Sequence, residues 1–387
     1  MEYKYIDISE EISDAIKNNT PIVALECASI FLNIQYPENV ELIKTLTSAI
    51  KEYGVMPALM YVANGRIKVG LSESDIDFLG HNKENISRIS KRDLPIALAA
   101  NESGNMLLSA VVYIASKIGI KVVSASSIAG VNTELLKGFQ SSYDIEALAS
   151  SNVLLICSGI RPGYNVNETM TKLEEKEIYV AGFKTDFLPS IFYADSEVKL
   201  SYRLESPQAV ATSYKVKEEL GMSSTFLLLN PVAKSHEIKV EDVENAITKV
   251  LAEAKEKGIK GTAFNDFMFK RVREITNGES KTTFIHNINS NAQLAAWIAF
   301  AMYRDGSLLQ ARNSNVSNNI KRVADPILSA NSNNNSTNVM DFYLWLFAVK
   351  RFAQTYDASK MIFNNLSEER QASLKEEFER SVSNPQH

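Results

Sequence analysis

Short apolar runs of strand length recur along the chain, and between them lie segments whose apolar residues repeat at helical spacing. This alternation is typical of α/β proteins, in which helices cover the faces of a sheet. Asn64-Gly65 stands between two of the runs and favours a tight hairpin, so the sheet is predicted to be mixed and not purely parallel. We therefore predict an α/β/α layered fold with a central mixed β-sheet. The runs interpreted as strands are 22–25, 58–62, 67–71, 120–123, 153–157, 178–180 and 226–229.

The clearest predicted helix covers residues 38–53. Pro37 opens it, apolar residues recur at every third or fourth position, and Gly54 stands where a C-terminal cap belongs. The same spacing predicts amphipathic helices over 239–257 and over the alanine-rich segment 290–304.

The composition changes after residue 305, which we take as the end of the main domain, 1–305. Nine asparagines fall between Asn313 and Asn338, so 306–338 is predicted to be an Asn/Ser-rich linker. Helical patterning returns in 339–387, predicted to be a C-terminal helical extension. We expect its aromatic stripe to pack on the main body or on a neighbouring subunit, or to meet a protein partner.

Charge and composition exclude several classes of function. The chain carries 41 Lys+Arg and 46 Asp+Glu, a net charge of −5, which disfavours nucleic-acid binding. Its start is polar and acidic, unlike a signal peptide, and its longest apolar run is far shorter than a membrane span. Two cysteines favour a reducing compartment. We expect a cytoplasmic protein without membrane contact.

A set of ordered segments makes the prediction specific. A carboxylate, Glu26, ends the first apolar run (PIVALE), and eight further segments follow it. These are YPENVE, NGRIKVGLS, RISKRDLP, GIKVVSASSIAGV, LICSGIRP, AGFKTDFLP, LLNPV and NSNAQLAAWIA. In this order and spacing, residues 8–304 resemble the pseudouridine-5′-phosphate glycosidase family.

The resemblance implies an activity, a metal and an assembly. The family reversibly splits the C–C glycosidic bond of pseudouridine 5′-phosphate into uracil and ribose 5-phosphate. A lysine attacks the anomeric carbon in a Schiff-base mechanism, a glutamate shuttles the proton, and an aspartate holds a manganese ion. The resemblance also implies that the chain assembles as a homotrimer. It further implies a phosphosugar or nucleotide-like ligand.

At the catalytic positions the chain departs from the family. Glu26 matches the proton-shuttling glutamate, with a capping or salt-bridging role as the plainer alternative. The nucleophilic lysine is replaced by Arg161, whose guanidinium stays protonated and cannot form a Schiff base. The metal-binding aspartate is replaced by Gln140, which lacks the charge that a hard cation prefers, so manganese binding is in doubt.

The resemblance also implies a substrate-binding set, parts of which have changed. Arg88 replaces a lysine and is still able to hold a phosphate. Asn132 replaces a histidine, and two glycines of the loop before it are replaced by Ser126 and Ser127, which removes backbone freedom. The full set is Arg88, Leu108, Asn132, Ser142, Tyr143, Asp144 and Asn291.

Two residues are candidates to replace the missing nucleophile. Lys184, in AGFKTDFLP, is one, although an exposed surface lysine is the commoner situation. Cys27 is the other, although such a cysteine more often is a small buried hydrophobe.

We therefore expect a pseudouridine-5′-phosphate glycosidase-like protein whose parent lyase activity is impaired or changed. A non-catalytic descendant that binds phosphosugars or proteins is one alternative. A C-glycoside-forming enzyme of a specialised pathway is the other.

Overall fold

The computed structural model describes residues 3–82, 86–132, 143–259 and 262–304, together with 322–323, 371 and 375. The strands are β1 (Ile6–Ile8), β2 (Ile22–Leu25), β3 (Met56–Ala63), β4 (Arg66–Val69), β5 (Ser87–Ile89), β6 (Gly104–Met106), β7 (Val122–Ser124), β8 (Val131–Asn132), β9 (Leu154–Cys157), β10 (Tyr164–Asn165), β11 (Tyr179–Phe183), β12 (Arg203–Leu204), β13 (Phe226–Leu229) and β14 (Arg322–Val323). The helices are α1 (Glu10–Lys17), α2 (Ala28–Asn33), α3 (Glu38–Lys51), α4 (Glu73–His81), α5 (Leu94–Ala99), α6 (Leu108–Ile118), α7 (Asp144–Ala149), α8 (Val166–Glu175), α9 (Pro207–Glu219), α10 (Val240–Glu256), α11 (Thr262–Ile275) and α12 (Glu279–Arg304).

The central sheet is mixed, as predicted. Its strand order is β1-β4-β3-β2-β7-β9-β13-β11-β12-β14, with β6 joined to β3 and β5 joined to β6. The strands from β3 through β2 to β14 pair in parallel, whereas β3 runs antiparallel to β4 and β6. Asn64 (φ 48°) and Gly65 (φ 71°) form the turn between β3 and β4, because the turn needs positive φ at both positions.

Helices cover both faces of this sheet, which confirms the α/β/α prediction. On one face, α1, α6, α7 and α8 pack against alternate residues of the strands. On the other face, α2, α3, α4, α9 and α12 bury the remaining strand residues. A smaller apolar cluster lies apart from the sheet and joins α10 and α11 to Ile191 and Phe192.

The predicted helix over 38–53 is confirmed as α3. It begins after Pro37, and Val40, Ile43 and Leu46 are buried along one face. Gly54 follows it with φ 70°. The helices over 239–257 and 290–304 are also confirmed, but α12 begins earlier, at Glu279, and α11 was not predicted. In the described parts of the chain, no helix has the length and apolarity to cross a bilayer.

The predicted linker and extension lie almost entirely outside the described residues. One short segment of the linker, Arg322–Val323, pairs in parallel with Arg203–Leu204 and forms β14. Composition predicts no strand there. Two residues pair nevertheless, because the edge strand β12 offers unpaired backbone groups to any nearby chain.

Candidate functional site

The candidate site lies where the chain changes direction across the sheet. From β2 the chain passes through α2 and α3 to β3 on one side, whereas β7 later joins β2 on its other side. Crevices of parallel sheets form at such switch points, outside the carboxyl ends of the strands. Glu26 directly follows β2, and the loops that follow β7 and β9 approach the same edge.

The loops after β7 and β9 run side by side beyond the sheet. The Ser158 N–H donates to the Ser126 carbonyl (3.0 Å), and the Arg161 N–H donates to the Ile128 carbonyl (2.8 Å). The pairing of the strands thus continues as bonds between loops, and it fixes Arg161 opposite the segment that begins at Ile128. Backbone geometry, and not the side chain alone, therefore sets the position of the arginine.

Glu26 is buried at the start of α2. The Ser29 N–H donates to Glu26 Oε1 (2.9 Å), and the Ser29 hydroxyl donates to Glu26 Oε2 (2.6 Å). Burial raises the pKa of Glu26, while the two Ser29 hydrogen bonds and Arg161 act in the opposite direction. Glu26 thus accepts hydrogen bonds from Ser29 in the first turn of α2, whose N-cap residue is Cys27, and at the same time is a carboxyl of raised pKa beside a cation.

Asp144 is the second buried carboxyl of the cluster. It is the first residue of α7, and its Oδ2 accepts the Ala129 N–H (2.9 Å). Burial raises the pKa of Asp144, and Arg161 partly offsets this rise. Arg161 also lowers the otherwise raised pKa of Tyr164 through a hydrogen bond and through its charge. One guanidinium therefore faces two buried carboxyls and a phenol.

Asn291 holds three site loops together. This fully buried side chain of α12 donates from Nδ2 to the Ala125 carbonyl (3.0 Å) and to Ser158 Oγ (3.0 Å). Its Oδ1 accepts from Asn230 Nδ2 (2.9 Å), which follows β13. The amide contacts the loops after β7, β9 and β13, and its predicted contact with substrate stays a prediction.

Arg88 lies apart from the cluster of Glu26, Asp144 and Arg161. It projects from β5 and forms an ion pair with Asp266 of α11 (Nη2 to Oδ2, 2.6 Å). It lines a cavity of about 530 Å³ in which none of those three residues takes part.

The two candidate substitute nucleophiles are placed differently. Lys184 directly follows β11 with φ 56°, and its exposed ammonium lies over the ring of Phe183 (5.5 Å). Cys27 is buried beside Glu26, and burial together with that carboxylate raises the pKa of the thiol. A thiol held in its protonated form is a poor nucleophile.

The remaining predicted residues are spread over the site and beyond it. Leu108 is buried in the core as the first residue of α6. Tyr143 precedes α7, and the guanidinium of Arg92 lies 4.5 Å from the centre of its ring. The backbone of Asn132 pairs with Tyr164 in the small antiparallel sheet.

Two predicted positions, Gln140 and Ser142, lie outside the described residues. Among the described residues, no three His, Cys, Asp or Glu side chains lie together as a metal-ligand group. The two carboxyls of the cluster already accept hydrogen bonds from Ser29 and Ala129. These residues by themselves therefore do not fit a manganese ion, which prefers several oxygen ligands.

Ser29 and Tyr164 belong to the cluster but were not predicted. Ser29 follows Glu26 by three residues, and their contact is local, but it matches no capping motif because Glu26 precedes the N-cap residue Cys27. Tyr164 follows Arg161 by the same spacing, but only the paired loops bring its hydroxyl to the guanidinium.

Comparisons with known proteins identify relatives over most of the chain. The family model described as indigoidine synthase A like protein matches residues 11–301. A protein of Petrotoga mobilis named pseudouridine-5′-phosphate glycosidase is 36% identical over 295 residues, covering 76% of this chain and 96% of the relative. A protein of the same name from Escherichia coli K12 is 32% identical over 294 residues, covering 76% and 94%.

Two solved structures share the fold. An indigoidine synthase A-like protein of Thermotoga maritima aligns with TM-score 0.70 and 26% identity, covering 79% of this chain and 98% of its own. The prealnumycin C-glycosynthase AlnA, solved in complex with ribulose 5-phosphate, aligns with TM-score 0.72 and 24% identity, covering 81% and 100%.

Proposed function

Since the chain belongs to the indigoidine synthase A-like family and matches relatives named pseudouridine-5′-phosphate glycosidase over nearly their whole length, we propose a function derived from theirs. The protein binds a ribose 5-phosphate compound at the cluster of Glu26, Asp144 and Arg161. It does not cleave pseudouridine 5′-phosphate through a lysine imine.

The position of Arg161 carries this proposal. Its guanidinium lies beside two buried carboxyls, Glu26 and Asp144, where the resemblance expects a nucleophilic lysine. An imine needs a nitrogen with a free lone pair, and a guanidinium stays protonated at every accessible pH. The parent chemistry therefore lacks its nucleophile.

The cluster retains the means to bind and to move a proton. Arg161 presents several N–H donors, which suit the hydroxyl or phosphate oxygens of a sugar phosphate. Glu26, whose pKa is raised by burial, is able to donate and accept a proton. These groups support the binding of a phosphosugar. Glu26 is also placed to act as an acid or a base on the bound sugar.

Two measurements test the proposal. Isothermal titration with ribose 5-phosphate is expected to give binding to the unaltered protein. Incubation with uracil, ribose 5-phosphate and Mn²⁺, followed by chromatography, is expected to give no pseudouridine 5′-phosphate, and borohydride is expected to trap no sugar adduct. Formation of product, or of a reduced adduct on any lysine, contradicts the proposal.

A double variant and a matched control test whether residues 161 and 140 prevent the parent reaction. Arg161→Lys combined with Gln140→Asp is expected to produce pseudouridine 5′-phosphate and a borohydride-trapped adduct at residue 161. The matched control is Arg92→Lys, the same exchange at an exposed arginine, which is expected to leave both readouts negative. If the double variant is folded, binds ribose 5-phosphate and still traps nothing, residue 161 is not the nucleophile position.

Metal dependence and assembly are parts of the same proposal. Because an amide replaces the aspartate, we propose that ribose 5-phosphate binding does not depend on manganese, which titration with and without EDTA tests. By resemblance we also propose a homotrimer, which light scattering coupled to gel filtration measures directly.

A further inference from the structure

Tyr164 lies in the small antiparallel sheet, three residues after Arg161. Its backbone pairs with that of Asn132, and its ring packs against the apolar core on the α6 face of the main sheet. The strand that pairs with it is tied to α8, because the Val131 N–H donates to Thr169 Oγ1 (2.9 Å). Backbone pairing therefore fixes the position of Tyr164, as it fixes that of Arg161.

Exposure divides the site into two pairs of side chains. Glu26 and Asp144 are buried, with 7% and 8% of their surface exposed, whereas Arg161 and Tyr164 are half-buried. A ligand that enters the site therefore meets the guanidinium and the phenol before it meets the carboxyls.

The hydroxyl of Tyr164 carries a proton that is available for a hydrogen bond. A guanidinium has only donors, so Arg161 donates the hydrogen bond that joins it to the phenol oxygen. Burial raises the pKa of Tyr164, which keeps the phenol protonated at neutral pH. Among the residues that the structure describes, none accepts a hydrogen bond from this hydroxyl. The O–H group is thus able to donate to a ligand.

The positive charge of Arg161 is already balanced. Arg161 is the cation that acts on both Glu26 and Asp144, and within the described parts of the chain no second cation acts on either carboxyl. Since one positive charge faces two carboxyls, no excess of positive charge remains for a phosphate dianion. The ligand group that suits this place is neutral, and the neutral groups of a sugar phosphate are its hydroxyls.

We propose that Tyr164 donates a hydrogen bond to a neutral hydroxyl of the bound sugar, on the side of the ligand that faces Arg161, and that the phosphate lies away from this pair. The inference rests on the proposed function, because it concerns the same ribose 5-phosphate compound. It adds a specificity to that function. A sugar phosphate that lacks this hydroxyl leaves the phenol without an acceptor and therefore binds more weakly.

Tyr164→Phe removes the hydroxyl and keeps the ring. Titration calorimetry of the full chain with ribose 5-phosphate is expected to show roughly tenfold weaker binding to this variant than to the unaltered protein. The matched control is Tyr193→Phe, the same exchange at a half-buried tyrosine whose hydroxyl donates to Glu244 of α10 (2.9 Å). The control is expected to leave the affinity unchanged. Thermal unfolding checks that both variants are folded.

Deoxy analogues distinguish a contact with the ligand from a structural role of Tyr164. Three analogues of ribose 5-phosphate, each lacking the hydroxyl at C1, C2 or C3, are titrated against the unaltered protein and Tyr164→Phe. One analogue is expected to bind the unaltered protein roughly tenfold more weakly than ribose 5-phosphate does, and to bind the variant with no further loss. If Tyr164→Phe weakens the binding of all three analogues by the same factor as that of ribose 5-phosphate, the phenol touches no sugar hydroxyl and the proposal is overturned.

Inorganic phosphate tests whether the phenol faces the phosphate group instead. Its affinity, measured by displacement of ribose 5-phosphate, is expected to be the same for the unaltered protein and Tyr164→Phe, and a loss in the variant contradicts the proposal. Equal affinity of the two proteins for ribose 5-phosphate overturns the inference and leaves the proposed function standing. If the unaltered protein does not bind ribose 5-phosphate, the proposed function fails and the inference fails with it.

Discussion

Replacing Arg161 with methionine is expected to destabilise the protein in a pH-dependent way. The guanidinium is the positive charge that opposes the rise in pKa of both Glu26 and Asp144. Methionine keeps much of the apolar stem but leaves the two buried carboxyls without a cation. Uncompensated buried charges are among the most destabilising changes known.

The magnitude follows from what remains around the carboxyls. Removing one partner of a buried ion pair costs roughly 3–5 kcal/mol. The lower end applies here, because Ser29 still donates two hydrogen bonds to Glu26 and Ala129 still donates one to Asp144. A loss of about 3 kcal/mol corresponds to a fall in melting temperature of roughly 5 °C for a domain of about 300 residues.

The pH dependence gives this prediction its sharpest test. Both carboxyls have a pKa raised by burial, so the folded state binds their protons more tightly than the unfolded state does. Their destabilising effect therefore grows as pH rises through the folded pKa and disappears below the unfolded pKa. Thermal unfolding at pH 5 and pH 8 is expected to show a larger deficit for Arg161→Met at pH 8. Arg92→Met, the same exchange at an exposed arginine, is the control and is expected to show a much smaller deficit at both pH values. An equal deficit at both pH values would refute the reasoning.

Three further predictions concern the stability of the scaffold. Asn291→Ala is expected to lower the free energy of unfolding by roughly 2–3 kcal/mol, measured by chemical unfolding, because buried polar groups of three loops lose their hydrogen-bond partner. Asn289→Ala, at a half-buried position, is expected to cost much less. Gly159→Ala is expected to destabilise by at least ~2 kcal/mol, since a Cβ there lies 1.9 Å from a backbone oxygen at φ +110°; Gly221→Ala, with φ +73° and open space, isolates the cost of φ alone. Two basic partners lower the pKa of Asp7, so Asp7→Asn is expected to reduce stability by about 1 kcal/mol at pH 7, and the deficit should vanish as wild type loses this stabilisation at acid pH.

Local sequence signals predicted most of the sheet and its layers. The run at 226–229 is β13 without any change of bounds, and Asn64-Gly65 forms the hairpin that its residue types require. Both predictions depend on neighbouring residues only. The unpredicted helix α11 carries Phe264, Met268 and Val272 at helical spacing, so its signal was available in the sequence, and these residues are buried in the small apolar cluster with α10.

The site was harder to predict from the sequence than the sheet, because its contacts join residues of different loops. The contact between Glu26 and Ser29 is local, because the two residues are three positions apart in the chain. The approach of Arg161 to Asp144 depends on backbone pairing between the loops after β7 and β9. The Arg88–Asp266 pair joins residues far apart in the chain. No periodicity or motif within one segment encodes either contact.

The balance of charge between Arg161 and the two buried carboxyls limits which groups of the cluster are able to donate a proton. One guanidinium faces two buried carboxyls, so it is able to balance one carboxylate, and ionising the second would leave a net negative charge in a water-poor site. The two carboxyls therefore titrate as a coupled pair, and one of them holds its proton to a higher pH than a solvated carboxyl does. With lysine in place of the arginine, the amine is able to pass its proton to a carboxylate and become a nucleophile. With arginine the proton stays on the guanidinium, and the neutral carboxyl remains the group from which a bound sugar can receive one.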